Sequence, residues 1–198
     1  QNPLAAGHGF VPCHDSIAML IVMAGLPGTG KTTLARELAA RLEGARIDKD
    51  VVRQALFAPQ DIEYSAEQDD LCMDAMLQAA GFLFQRRPGR HIFLDGRTFT
   101  VKYQLQHVIA VADSHAWPWL ILECVCSDET ARKRLAEQEG SHPAGNRNYA
   151  LYQSLRQTRD EIEYPKLVID TDRPQPECLD LAWDAIQRIA AARHEERG

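Results

Sequence analysis

Apolar and polar positions divide the chain into two alternating kinds of segment. Short apolar runs predict strands, and the run over 18–24 is continuous, as is typical of a central parallel strand buried on both faces. Longer segments carry apolar residues three and four positions apart, which predicts helices; the last shows Leu179, Trp183, Ile186 and Ala190 on one face. The alternation predicts an α/β domain, a three-layer sandwich around a five-stranded parallel sheet.

The predicted elements follow one another from strand to helix with little between them. Strands are expected at 18–24, 45–47, 91–94, 119–123 and 166–169. Helices are expected at 31–42, 51–57, 66–87, 101–114, 128–139 and 149–161, before the last one. Residues 140–148, rich in Gly, Pro and Asn, are expected to form a mobile loop within a short lid at about 128–148.

Composition limits the class of protein. Of the 198 residues, 45% are hydrophobic and 25% are charged, which is typical of globular domains and excludes a disordered tail, a fibre or a coiled coil. The formal net charge of −6 argues against coating nucleic acid through bulk electrostatics, although a local basic cleft stays compatible with it.

Cysteine usage and the amino-terminal segment bear on localisation. The five cysteines, at 13, 72, 124, 126 and 178, show no metal-ligand spacing and are interpreted as reduced thiols, which predicts a cytoplasmic protein. The longest apolar run is too short to cross a membrane, and no basic residue precedes it as in a secretion signal. Residues 1–16 are interpreted as a non-native or disordered extension, and 17–198 as a single domain.

The strongest chemical signal is a glycine-rich loop between the first strand and the first helix. Residues 25–32 read GLPGTGKT, the complete phosphate-binding pattern in its required context. Backbone N–H groups and the helix N-terminus would surround the phosphates, with Lys31 at the β- and γ-phosphates and Thr32 on Mg²⁺. The pattern predicts ATP and Mg²⁺ as cofactors, held by Pro27, Gly28, Thr29, Gly30, Lys31, Thr32 and Thr33.

Carboxylates and arginines follow the second and third strands. Asp50 is a candidate general base for an acceptor hydroxyl and Arg53 a candidate for binding the acceptor, although Asp48 or Asp50 could instead cap the helix. After the third strand, Asp95 could hold a magnesium-bound water or an acceptor hydroxyl, with Arg97 at the rim of the crevice; a simple Asp-Gly turn is the alternative. These side chains are expected at one edge of the sheet, because ligands of such folds bind beyond the carboxyl ends of the strands.

A third group of basic residues precedes and follows the predicted loop. Arg132, Lys133 and Arg134 lie on one helix, and Arg147 lies in the loop itself. Phosphoryl transfer needs positioned positive charge, so a closing segment that carries arginine suits it; ordinary surface arginines are the alternative.

Together these residues resemble a known group, the small P-loop kinases that include polynucleotide kinase, zeta toxin, gluconate kinase and chloramphenicol phosphotransferase. Within it, the segment His142-Pro143-Ala144-Gly145-Asn146-Arg147 resembles the lid of the bacterial "AAA-type ATP-binding" small kinases. The resemblance covers about 18–192 and implies a P-loop NTPase fold like that of nucleoside-monophosphate kinases. It also implies that Asp50 is the base and that Arg53 holds a phosphate of the acceptor.

The resemblance implies further nucleotide contacts, and this chain departs from the family's pattern at one position. The segment 170–174, which contains Arg173, would pass beneath the adenine, or it could be only a turn. Such kinases often carry arginines four apart on the lid helix, whereas this chain has Arg134 and then Gln138. We therefore expect Arg134 to bind the nucleotide and Arg147 or Arg132 to supply the second, catalytic arginine.

Three function classes remain open from the sequence. The favoured one is an ATP-dependent kinase that phosphorylates a hydroxyl of a small metabolite, with no membrane partner. The second is a polynucleotide 5′-hydroxyl kinase. Arg53 and the basic residues near the third strand support it, namely Arg86, Arg87, Arg90 and Lys102, whereas the acidic net charge and the lack of an obvious aromatic stacking platform oppose it. The third is a nucleotide-dependent switch or ATPase without an acceptor. The identity of the acceptor and the oligomeric state stay open.

Overall fold

The structure, a computed structural model, describes residues 17–137 and 148–195. In chain order the strands are β1 (Leu20–Ala24), β2 (Ala45–Asp48), β3 (Ile92–Asp95), β4 (Trp119–Val125) and β5 (Lys166–Asp170). The helices are α1 (Lys31–Arg41), α2 (Lys49–Leu56), α3 (Ala66–Arg86), α4 (Lys102–Ser114), α5 (Asp128–Glu137), α6 (Tyr149–Thr158) and α7 (Gln175–Glu195). A short 3-10 turn, Pro59–Asp61, separates α2 from α3.

The strands form one parallel sheet in the order β2-β3-β1-β4-β5. In the centre, Leu20 of β1 lies opposite Ile92 of β3 and Trp119 of β4. The predicted five-stranded parallel α/β fold is therefore confirmed.

The central strand explains why its sequence is apolar at every position. Successive side chains of a strand point to opposite faces of the sheet. Ile21 and Met23 pack into a core with α1 and α7, while Leu20 and Val22 pack into a second core with α3 and α4. Since both faces are covered by helices, no position of β1 can be polar without burying an unpaired group.

Among the helix boundaries that differ from the expectation, two have a clear cause, one local and one distant along the chain. Helix α2 begins at Lys49, two positions early, because the Asp48 side chain caps it by accepting hydrogen bonds from the backbone N–H groups of Asp50 and Val51. Helix α6 ends at Thr158, three positions early, because the chain then turns to place Ile162 in the core with α3 and α4.

Two predictions made from the sequence concern parts of the chain outside the described residues. These are the extension at 1–16 and the part of the predicted lid at 138–147, which contains His142 to Arg147. Among the helices that are described, none combines the length and the apolar character needed to cross a membrane.

A buried histidine couples the start of the sheet to pH. The Nδ1 atom of His91 accepts a hydrogen bond from the backbone N–H of Met19 (3.2 Å), and burial lowers the pKa of His91 to about 4. In the unfolded chain the same imidazole titrates near its ordinary value of 6.5. Between these two values the unfolded state binds more protons, so the free energy of unfolding decreases as the pH falls from about 6.5 to 4.

We expect His91 to account for about 3 kcal/mol of this loss at most, from ~1.4 kcal/mol per pKa unit. His91→Gln keeps a hydrogen-bond acceptor for Met19 and does not titrate. Urea unfolding at several pH values should therefore give a shallower loss of stability for the variant between pH 6.5 and 4. Parallel curves for the two proteins would show that His91 contributes no pH dependence.

Candidate active site

The phosphate loop begins where β1 ends, at a glycine that no other residue can replace. Gly25 has a φ of 131°, and a Cβ atom there would lie 2.3 Å from the backbone oxygen of Cys124 on β4. The N–H of Gly25 donates to the backbone oxygen of Thr98, in the loop after β3 (3.3 Å). The loop is thus joined to both neighbours of β1 at its first residue.

The other end of the loop leads directly into α1. Gly30 occupies the N-cap position in the left-handed region (φ 82°), without a side-chain cap. The first N–H groups of a helix lack intrahelical partners, so this end can bind an anion. The Nζ atom of Lys31 donates to the backbone oxygen of Leu26 (2.7 Å), which holds the ammonium group against the loop.

A cavity of about 400 Å³ opens beside the loop and brings together most of the predicted nucleotide contacts. It is lined by Gly28, Gly30, Thr32, Thr33, Arg134 and Arg173 from the predicted set. Pro27, Thr29 and Lys31 belong to the same loop but do not line this cavity. Thr171, from the segment 170–174 expected beneath the adenine, also lines it, as does Arg36, which the sequence analysis missed.

Arg134 and Thr171 connect this cavity to the rest of the fold. The Arg134 guanidinium donates to the hydroxyl of Thr171 (2.9 Å), to its backbone oxygen (2.8 Å) and, more weakly, to the backbone oxygen of Gly28 (3.4 Å). The Thr171 hydroxyl lies 3.0 Å from the backbone oxygen of Thr29 and 3.1 Å from that of Val125, and donates to them. One side chain after β5 therefore supports both the phosphate loop and the arginine above it.

The carboxylates after β2 and β3 lie side by side. Asp48 is opposite Asp95 in the strand register, and Arg46 donates to both carboxylates, at 2.6 Å and 2.9 Å. The other oxygen of Asp95 accepts the N–H of Gly96 (2.8 Å). Of the two aspartates that could cap α2, Asp48 is the one that does so. The side chain of Asp50 is therefore not needed as a cap.

Asp50 lies in the first turn of α2 within a buried network of charges. Its carboxylate binds Arg53 at 2.8 Å, and Arg53 also contacts Asp69 of α3. Asp69 in turn accepts a hydrogen bond from the Nζ atom of Lys49 (2.7 Å). The contact between α2 and α3 is thus made through charged side chains.

Arg97, in the loop after β3, also forms an ion pair with α3. Its guanidinium pairs with Asp70 of α3 at 2.7 Å and lies 3.5 Å from the hydroxyl of Tyr103. Thr98, the next residue, is the one that binds Gly25. The candidate acceptor side therefore lies directly beside the start of the phosphate loop.

Lys49, like Asp69 and Asp70, is a member of this cluster that the sequence analysis missed. Burial lowers its pKa to about 8, and the positive charges of Arg53 and Arg97 act in the same direction, whereas Asp50 opposes them. The only signal in the sequence is its position between two aspartates, which equally fits a surface lysine.

The residues present fit a magnesium ion in the way that Mg²⁺ binds beside nucleotides, with few protein ligands and several waters. Thr32 lines the cavity at the start of α1 and offers a hydroxyl oxygen. Asp95 ends β3 with a fully buried side chain that accepts hydrogen bonds from Arg46 and Gly96 and does not line this cavity, so it would act on the ion only through a water. Within the described residues no three-ligand cluster of His, Cys, Asp or Glu exists, and such a site does not need one.

Of the two candidates for the second arginine, only Arg132 belongs to the described residues, and it does not line the cavity. Arg132 lies over the ring of Tyr149, 4.7 Å from its centroid, which ties α5 to α6 instead of the nucleotide cavity. Arg147 lies outside the described residues.

Comparison with known proteins gives the family. The family model described as an AAA domain matches residues 20–165, which span every element from β1 to α6. The chain belongs to the AAA domain family. No curated protein sequence matches this AAA domain significantly.

Solved structures share the fold of this AAA domain over most of its length. A gluconokinase from Sinorhizobium meliloti 1021 superposes with a TM-score of 0.66 at 15% identity, covering 92% of this chain and 99% of that one. An unliganded sugar kinase from Janibacter sp. HTCC2649 gives 0.63 at 18% identity, covering 89% and 98%. The Mycobacterium tuberculosis APS kinase, solved with AMPPNP and APS, gives 0.62 at 15%, covering 85% and 97%. The implied P-loop NTPase fold, of the kinase type, is therefore confirmed.

The support of the phosphate loop by Thr171 can be tested directly. Thr171→Val removes the hydroxyl that contacts Thr29, Val125 and Arg134, and leaves the shape of the side chain nearly unchanged. We expect the free energy of unfolding to decrease by about 1–2 kcal/mol, because buried polar groups lose their partners. We also expect ATP to bind roughly three- to tenfold more weakly. Chemical denaturation and calorimetry measure the two effects.

Thr171→Ser is the matched control, because it keeps the hydroxyl. It should retain most of the affinity for ATP. A valine variant that binds ATP as tightly as the wild type would show that Thr171 does not position the loop.

Proposed function

We propose that this AAA domain is an ATP-dependent phosphotransferase that moves the γ-phosphate of ATP to a hydroxyl group of a small metabolite. One observation carries the proposal: the hydrogen bond from Gly25 to Thr98 places a phosphate loop directly against a buried cluster of carboxylates and arginines. An enzyme that only hydrolysed ATP would need the loop and an activated water, but no buried polar cluster of this extent beside it. The kinases among the structural neighbours agree with this reading.

In the proposed reaction, ATP occupies the 400 Å³ cavity with its phosphates in the loop. Lys31 and the first N–H groups of α1 stabilise the charge on the β- and γ-phosphates. Arg134 and Arg173 bind the nucleotide from the other side of the cavity. Thr32 and Asp95 would hold Mg²⁺, directly and through a water, and the ion would supply charge neutralisation at the phosphates.

The acceptor hydroxyl would lie between the loop and α2. Asp50 accepts its proton, the oxygen forms a bond to the γ-phosphorus, and the bond from that phosphorus to the β-γ bridging oxygen breaks to release ADP. The contact with Arg53 orients the Asp50 carboxylate before the reaction. Arg53, Asp95 and Arg97 bind the acceptor, and Arg147 supplies the second arginine of the lid.

A screen for ADP release tests the proposed class of reaction. Sugars, nucleosides, aminoglycosides and a 5′-hydroxyl oligonucleotide are each compared with ATP and Mg²⁺ alone. Stimulation by one of the small molecules supports the proposal, and stimulation by the oligonucleotide alone replaces it with a polynucleotide kinase. ADP release that no acceptor stimulates contradicts both and favours an ATPase.

The role of Asp50 gives a sharper prediction. Asp50→Asn should lower kcat by about 10² or more, the usual scale for the loss of a general base, and leave the affinity for ATP nearly unchanged. Lys31→Ala should instead weaken ATP binding, by about 1.5–3 kcal/mol, because a charged contact with the phosphates is lost. Steady-state kinetics and calorimetry separate the two.

Asp61→Asn, in the exposed 3-10 turn, is the matched control and should behave as the wild type. If Asp50→Asn keeps the wild-type kcat, Asp50 is not the base, and Asp95→Asn becomes the variant to measure.

A further inference from the structure

A cavity of about 260 Å³ lies apart from the nucleotide cavity and has no part in the proposed reaction. It is enclosed by the loop after β3, the start of α4 and the segment that joins α6 to β5. We call it the α4 cavity. Its lining consists of Phe99, residues 101–102, residues 105–106 and residues 160–164.

The buried part of this lining is apolar. Phe99, Leu105 and Ile162 are each less than a tenth exposed and belong to the core formed with α3 and α4. An apolar cavity of roughly 150 Å³ is large enough to hold benzene. The α4 cavity therefore has room for a ligand with a two-ring body or a short aliphatic chain.

The more exposed part of the lining is mainly acidic. Asp160, Glu161 and Glu163 contribute three carboxylates, against one ammonium group from Lys102. The side chain of Lys102 pairs with Glu163 at 2.6 Å, and its backbone N–H donates to Asp160 at 2.8 Å. Within residues 17–137 and 148–195, Glu161 takes part in no ion pair.

The neighbouring cations do not balance this charge. A cavity that shares Glu161 with the α4 cavity carries the basic residues Arg156, Arg159 and Lys166. The first pairs with Asp128, at 2.5 Å, and the other two pair with Glu123, at 3.0 Å and 2.9 Å. The α4 cavity thus keeps a net negative charge beside an apolar interior. A protonated amine suits this charge, and the aromatic side chains of the lining favour it as well.

The α4 cavity and the phosphate loop are joined by the backbone of Thr98, Phe99 and Thr100. The oxygen of Thr98 accepts the N–H of Gly25, and the oxygen of Thr100 accepts the N–H of Asp160 at 2.8 Å. Between them Phe99 has a φ of 53°, in the left-handed region, which is strained for a bulky side chain. A ligand in the α4 cavity therefore contacts the residue that connects these two hydrogen bonds.

We infer that the α4 cavity is a second ligand site, which binds a small molecule with an apolar body and a protonated amine, and that this ligand acts on the phosphate loop through Thr98 to Thr100. The inference goes beyond the proposed function and does not depend on it, because binding to the α4 cavity requires no transfer of phosphate.

The experiment compares probes that share a body and differ in charge. Calorimetry on the full chain measures tryptamine, tryptophol and indole-3-acetate, and then hexylamine, hexanol and hexanoate. At least one amine should bind with a Kd below about 1 mM and about fivefold or more tighter than its alcohol, and the acid should bind most weakly. No saturable binding of either amine overturns the site, and equal binding of an amine and its alcohol overturns the cationic class.

Two variants then locate the bound amine. Gln106→Trp places a large side chain at an exposed position of the lining and should abolish binding of the amine. Glu161→Gln should weaken the amine roughly twofold to fivefold and leave the alcohol unchanged. Gln153→Trp on α6 and Asp184→Asn on α7, both exposed, are the matched controls and should bind like the wild type. Wild-type affinity in both test variants would show that the amine binds elsewhere.

The action on the phosphate loop is tested by reciprocal binding. With AMPPNP and Mg²⁺ at saturation, the Kd of the amine should change about threefold or more, and the saturating amine should change the Kd of AMPPNP by the same factor. In Gln106→Trp, AMPPNP should bind as to the wild type and should not respond to the amine. An unchanged Kd in the wild type overturns the action on the loop. Complete displacement of AMPPNP would place the amine in the nucleotide cavity and overturn the second site.

These failures differ from failure of the proposed function. ADP release that no acceptor stimulates contradicts the phosphotransferase and leaves the α4 cavity as a ligand site. An α4 cavity that binds no amine leaves the phosphotransferase unaffected.

Discussion

The whole site depends on one close approach, that of Gly25 to the backbone of Cys124. The space there admits no side chain, and the N–H of Gly25 is held by Thr98. As a result the phosphate loop is fixed between β4 on one side and the loop after β3 on the other. The nucleotide cavity forms toward β4 and β5, and the candidate acceptor cluster forms toward β2 and β3. Both halves take their positions from this single residue.

Each half is then stabilised in a different physical way. The nucleotide side uses backbone carbonyl groups, which Thr171 and Arg134 contact through hydrogen bonds. The acceptor side uses ion pairs between α3 and the segments that follow β2 and β3. The two halves therefore differ in the kind of contact that holds them, which is a hydrogen bond to the backbone on one side and an ion pair on the other.

The sequence predicts the fold well because the strongest signals are local. The continuous apolar run of β1 and the glycine loop after it place the sheet centre and the phosphate site within a few residues. The Asp48 cap follows the same local logic. What escapes prediction depends on contacts between distant segments: Lys49 and Asp69 meet because α2 packs against α3, and Thr171 reaches the loop across β4. The early end of α6 has the same origin, since Ile162 is drawn into a core that no local pattern reveals.

Over the part of the chain that the structure describes, the two halves share the sheet but no side chain. Arg134, Thr171 and Arg173 line the nucleotide cavity, whereas the acceptor cluster takes its charges from α2, α3 and the loop after β3. Substitutions at positions such as Asp69 or Asp70 can therefore alter the charge pattern of the candidate acceptor cluster without moving any group that lines the cavity beside the phosphate loop. Under the proposed function, such a division would let the nucleotide half remain constant over evolution while the other half diversifies, so that related chains could come to act on chemically unrelated molecules.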